Sequence, residues 1–160
     1  MNMANFVTLK VLISLPICKG NASIYHFGVL SSNVHMAWTR SVCGRLKGDY
    51  RYSSDIVYNN FPWPMPTEQQ KKNIEQTAQR ILDARELYPD SSLADLYDPL
   101  TMPDRLRKAH IANDKAVMAA YGFSTKMTEA DCVAEAISKA DSCKMMKGEK
   151  NYLYSSFSLD

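Results

Sequence analysis

Between positions 38 and 58 the chain alternates cations with aromatics. Arg40, Arg45, Lys47 and Arg51 stand against Asp49 and Asp55, interleaved with Trp38, Tyr50, Tyr52 and Tyr58. Guanidinium and ammonium groups donate to phosphate oxygens, while aromatic faces stack on bases or insert into a groove. The same residue types also suit a solvated helix face followed by an aromatic strand, and chemistry alone leaves both readings open. Arg105, Arg107 and Lys108 form a second basic cluster, at a helical spacing that suits a solvent-facing turn.

Catalytic constellations are harder to find. Amino-directed DNA methyltransferases use an Asn/Asp/Ser-Pro-Pro-aromatic loop, whose polar side chain and backbone carbonyl hold the target amino group of a flipped base. Asn60-Phe61-Pro62-Trp63-Pro64 has similar letters in another order. Its prolines are not adjacent, so a rigid linker packing Phe61 and Trp63 is the expectation. A cofactor-binding glycine loop follows a strand and opens a helix, whereas Gly44 and Gly48 follow a predicted helix. His26, His35 and Cys43 lack metal-ligand spacing, and Cys43 lies about two helical turns from His35, too far for a nucleophile–base pair. No catalytic, cofactor-binding or metal-binding residue is assigned.

Three zones must position the basic–aromatic stretch. Residues 1 to about 33 read as strand and loop, with β-branched and aromatic runs at Phe6–Ile13 and Ile24–Leu30. Val34 to Leu46 has a helical period, carried by Val34, Ala37, Trp38, Ser41, Val42 and Arg45. Tyr50 to Tyr58 reads as a strand, which Pro62-Trp63-Pro64-Met65-Pro66 ends.

Beyond the prolines the pattern is helical. Thr67 and Gln70 form a capping box, followed by the stripe Ile74, Ala78, Ile81, Leu82 and Tyr88 and a stop at Pro89. Ser91–Tyr97 reads as a short helix or turn. Thr101 and Pro103 open a longer helix with Leu106, Ala109, Asn113, Ala116, Val117 and Ala120 inside and a glycine stop at Gly122. Thr128 caps a last helix carrying Val133, Ile137 and Ala140. The expected fold is α+β: a small strand-bearing N-terminal part over residues 1–66, a three- to four-helix subdomain over 67–145, and a flexible tail over 146–160.

Composition adds limits. Of 160 residues, 46% are hydrophobic, enough for a core, and the net charge of +2 implies no partner, so any nucleic-acid signal is local. No run of about 18 apolar residues suggests a membrane span. Met1–Gly20 lacks the basic start of a signal peptide and Lys10 interrupts it. Cys18, Cys43, Cys132 and Cys143 show no disulfide-scaffold spacing. A reduced, cytoplasmic setting is expected.

Several ordered strings carry a family resemblance. Tyr25-His26-Phe27-Gly28-Val29-Leu30-Ser31-Ser32-Asn33-Val34-His35-Met36-Ala37-Trp38, Gly44-Arg45-Leu46-Lys47, Asp49-Tyr50-Arg51-Tyr52-Ser53 and Ile56-Val57-Tyr58-Asn59-Asn60-Phe61-Pro62-Trp63-Pro64 resemble the end of the target-recognition domain of MmeI-like type II restriction–modification methyltransferases. Leu93-Ala94-Asp95-Leu96-Tyr97-Asp98-Pro99-Leu100, Leu106-Arg107-Lys108-Ala109-His110 and Tyr121-Gly122-Phe123 resemble the helical C-terminal domain that follows it.

The resemblance covers roughly residues 21 to 135. It implies site-specific adenine-N6 methylation of duplex DNA with S-adenosylmethionine in full-length relatives, whose nuclease, cofactor and catalytic segments lie upstream of this portion. For this chain it implies no bound cofactor and a gene remnant, split subunit or excised domain. It further implies weak or partner-assisted binding of double-stranded DNA, with a methyltransferase polypeptide supplied separately. Arg40, Arg45, Lys47 and Arg51 are the expected phosphate contacts. The alternative is a helical protein–protein interaction module without DNA contact.

Overall fold

A computed structural model describes residues 23–46, 49–50 and 52–146. The strand expected at Phe6–Ile13 and the tail expected past residue 146 lie outside the described residues. In chain order the elements are α1 (Ile24–Leu30), α2 (Asn33–Val42), β1 (Arg45–Leu46), β2 (Asp49–Tyr50), a π-helical turn (Ser54–Tyr58), α3 (Glu68–Glu86), α4 (Leu93–Leu96), α5 (Asp104–Tyr121) and α6 (Glu129–Met146). The fold is helical, and this corrects the α+β expectation. Extended pairing among the described residues is confined to a two-residue antiparallel rung, with Arg45 opposite Tyr50 and Leu46 opposite Asp49.

The expected strand over Ile24–Leu30 is the helix α1. Its β-branched and aromatic residues favour strands only as far as their surroundings permit. Tyr25, Gly28 and Val29 fall at i, i+3 and i+4, and all three are buried. Gly28 makes the packing possible. A Cβ there would lie 2.7 Å from Ile74 Cγ2 and 3.0 Å from Ala78 Cβ, so only glycine lets α1 approach α3 this closely.

The expected strand over Tyr50–Tyr58 shortens to β2 followed by the π-helical turn. Among the described residues no further strand pairs with it. The Trp38 indole N–H instead donates to the Val57 carbonyl at 2.9 Å, and the Asn60 amide donates to the carbonyls of Asp55 (2.8 Å) and Ile56 (3.1 Å). These bonds satisfy the curled backbone locally. Helix α2 ends at Val42 rather than Leu46, because Cys43 is already extended and leads into β1.

Past the prolines, the expected caps at Thr67 and Thr128 open α3 and α6. Thr67 Oγ1 accepts from the Gln70 amide while Gln70 Oε1 accepts from the Thr67 amide, and Ile74, Ala78, Ile81 and Ala84 then form the buried stripe of α3. Leu82 and Tyr88 are half-buried at its margin. Ser92 with Asp95 opens α4, and Thr128 with Asp131 opens α6 in the same reciprocal way. Helix α5 departs from the expected start: Pro103, not Thr101, is its N-cap, and the Thr101 hydroxyl donates to the Asp95 carbonyl at 3.0 Å. The helix stops as expected at Gly122, whose φ of 73° is the left-handed cap.

Two apolar clusters result. One gathers Tyr25, Val29, Val34, Trp38, Val57, Phe61, Ile74, Val117 and Tyr121 with Cys132 and Ala136 of α6. The other joins Ile81, Ala84, Leu96, Tyr97, Met102, Leu106 and Ala109. Buried polar groups stitch the helices. Asn113 of α5 donates to the Gly28 carbonyl at 2.8 Å, and its Oδ1 lies 3.2 Å from the Thr77 hydroxyl of α3. That carbonyl needs an outside donor, because the Ser32 amide turns to Val29 instead. Both oxygens of Asp114 accept from Asn33 at the start of α2, at 2.8 and 2.7 Å. Arg85 donates twice to the Tyr97 phenol oxygen, at 2.9 and 2.6 Å, so the phenol proton is left for His110 Nε2 at 2.7 Å.

Candidate nucleic-acid interface

The basic–aromatic stretch leaves the C-terminal end of α2, crosses the β1–β2 rung and returns through Tyr52 to the π-helical turn. Aromatic contacts fix the base of this excursion. His35 is fully buried, and its Nε2 is hydrogen-bonded to the Tyr52 hydroxyl at 3.1 Å. The His35 ring meets Phe61 edge-on, with centroids 4.6 Å apart. Phe61 meets Trp63 at 5.3 Å, and Trp63 in turn packs on His26 and Tyr58. The Tyr121 hydroxyl donates to the Pro62 carbonyl at 2.7 Å, which ties the linker to the end of α5.

Phe61 is therefore in the core and Trp63 half-buried beside it. A ring packed like Phe61 cannot stack on a flipped base, and the Asn60 amide is engaged with its own π-helical turn. Both residues thus have structural roles.

Electrostatics at the base favour neutral groups. Burial holds His35 down to about 3, and its Nδ1 finds no hydrogen-bond partner among the described residues. Burial, with smaller effects from Tyr58 and Cys43, pushes the Tyr52 phenol up. The Cys43 thiol is also pushed up by burial, the wrong direction for a thiolate nucleophile. Among the described residues no group of three or more His, Cys, Asp and Glu could hold a metal ion.

The four expected phosphate contacts have different settings. Arg45 lies in β1, opposite Tyr50. Lys47 and Arg51 lie outside the described residues. Arg40, in the last turn of α2, is engaged within the protein. Its Nε donates to Glu129 Oε2 at 2.8 Å and its Nη2 to Glu129 Oε1 at 2.5 Å, a two-pronged ion pair with the first residue of α6. Sequence reading missed this partner, because 89 positions separate the two residues and nothing local marks the pair. In the second basic cluster, Arg105 and Lys108 are exposed, while Arg107 approaches Asp104 at 3.5 Å and donates to the Met102 carbonyl at 3.2 Å.

These features define a helical module that holds a short cationic excursion on an aromatic base. Comparison with known proteins narrows the class. Residues 10–65 match the family model for the MmeI target recognition domain, and residues 66–144 match that for the MmeI C-terminal domain. The chain belongs to the MmeI family and carries these two domains of it.

The chain is similar to DNA methyltransferase A of Bacillus subtilis (strain 168), at 46% identity over 101 residues, which is 63% of this chain and 11% of that protein. It is also similar to a solved structure of MmeI, a Type IIL restriction-modification enzyme, in complex with DNA. That match has 48% identity and a TM-score of 0.73, and it covers 78% of this chain and 17% of the MmeI chain. The chain thus spans a small part of the length of either relative. The two matched segments share one core here, since α1 and α2 pack on α3, α5 and α6. No helix among the described residues is long and apolar enough to cross a membrane.

Proposed function

We propose that this chain contacts the backbone of duplex DNA through the excursion carrying Arg45, Lys47 and Arg51, within a site-specific adenine-N6 methyltransferase system. One observation carries the reading: the excursion is the basic part of a segment that matches a target recognition domain. The similar MmeI structure is a DNA complex, which supports the same direction. On this reading S-adenosylmethionine binding and methyl transfer belong to other segments or to another polypeptide. The 160-residue chain binds duplexes weakly by itself and transfers no methyl group.

Phosphate contacts release counterions, so the expected affinity is about micromolar or poorer and falls steeply with salt. Neutralising Arg45 or Arg51 to Gln should weaken binding on every duplex sequence and flatten the salt slope by about 0.9 per lost phosphate contact. Duplex titrations at several salt concentrations, paired with melting temperatures, test this. Salt-independent binding, or variants that lose stability and no affinity, would remove the DNA role and leave a protein–protein interaction module.

A further inference from the structure

We propose that Glu129 is an internal competitor for Arg40, so that duplex binding exchanges one carboxylate for one phosphate at the same guanidinium. The inference rests on the duplex reading above and adds a control built into the fold. Arg40 lies five residues before Arg45, in the turn of α2 from which the basic excursion departs. Its guanidinium presents two parallel N–H donors to the Glu129 carboxylate. A phosphate offers the same pair of acceptors in the same fork geometry.

Release of Glu129 is easy for two reasons. Its side chain is 62% exposed, so water solvates the carboxylate once it leaves the guanidinium. Glu129 is also the first residue of the 18-residue helix α6, where the positive end of the helix dipole favours a carboxylate whether or not Arg40 holds it. Arg40 differs, because its side chain is only 20% exposed and the guanidinium gains a partner in either state.

The test uses the full 160-residue chain and a labelled random-sequence duplex titrated across a salt series. Glu129→Gln should bind about threefold or more tightly than wild type at low salt with the same salt slope, because the same phosphates are contacted in both complexes. Arg40→Gln placed in the Glu129→Gln background should abolish the gain and flatten the slope by about 0.9, the signature of one lost phosphate contact. If wild type binds through Arg45 and Arg51 while Glu129→Gln matches it, the competitor role is overturned and the duplex reading stands. The competitor role is equally overturned if the gain survives loss of Arg40, because it is then a general charge effect. If no variant binds any duplex, the duplex reading fails and the competitor role fails with it.

Discussion

Asn113→Asp changes almost no volume and isolates one buried donor. In the native fold Asn113 is fully buried, and its Nδ2 donates to the Gly28 carbonyl at 2.8 Å. An ionised carboxylate at that place would face a carbonyl oxygen at hydrogen-bond distance. A buried acid in that position neutralises instead. Its protonated oxygen can then donate to Gly28, so the main cost is that of holding an Asp protonated. From an unfolded value of about 3.9 this costs about 4 kcal/mol at pH 7, falling by about 1.4 kcal/mol per pH unit.

The sign is fixed by the direction of the shift. The new group's folded pKa is raised above its unfolded one, so the penalty is full at high pH and shrinks as pH falls towards 4. Urea denaturation of wild type and variant at the same pH cancels the groups they share. The expected difference is about 4 kcal/mol at pH 7 and about 1.5 at pH 5. Asn113→Ala, which removes the donor without adding a charge, should show a pH-independent loss of about 1–3 kcal/mol or somewhat more from the cavity. An Asn113→Asp penalty that stays below about 1 kcal/mol, or that does not vary with pH, would refute the assignment of Asn113 as the donor that completes α1.

Acid should weaken the native protein by the opposite rule. His35 and His110 are both held down to about 3 by burial, with Arg85 adding to the effect at His110. Their contribution is complete above the unfolded value of about 6.5 and is lost as pH falls below it, by about 2 kcal/mol each between pH 7 and 5. Asp114 is pushed up to about 6, burial outweighing the Asn33 backbone bond, so it returns about 1 kcal/mol over the same interval. Denaturation at pH 7 and 5 should show a net loss of about 2–3 kcal/mol. In the linker, Phe61→Ala should cost about 3–5 kcal/mol, since the ring is 4% exposed, and Trp63→Ala about half as much because its ring is half-buried. Equal costs by thermal or urea denaturation would contradict that difference in burial.

Much of the helical part was legible in sequence, because its signals span three or four residues. The reciprocal Thr67–Gln70 cap, the Ile74–Ala78–Ile81 stripe, the proline stop after α3 and the left-handed Gly122 all follow from local hydrogen bonding and backbone sterics. The strings on either side of Pro62–Pro66 also pointed to the family, and the matched segments agree with them. The candidate interface was legible as a basic–aromatic composition and no further.

Tertiary contacts settled the rest. Ile24–Leu30 has residues that suit a strand, yet it is a helix because Gly28 seats it against Ile74 and Ala78, some fifty residues away. Ser54–Tyr58 curls instead of extending, and the Trp38 indole takes the Val57 carbonyl in place of a neighbouring strand. Arg40 looked equivalent to Arg45 until the fold brought Glu129 to it across 89 positions. A local pattern carries its own partners in the sequence. A strand without a neighbour, a histidine sealed from water and a cation with a distant carboxylate acquire their character only from what the closed chain puts beside them.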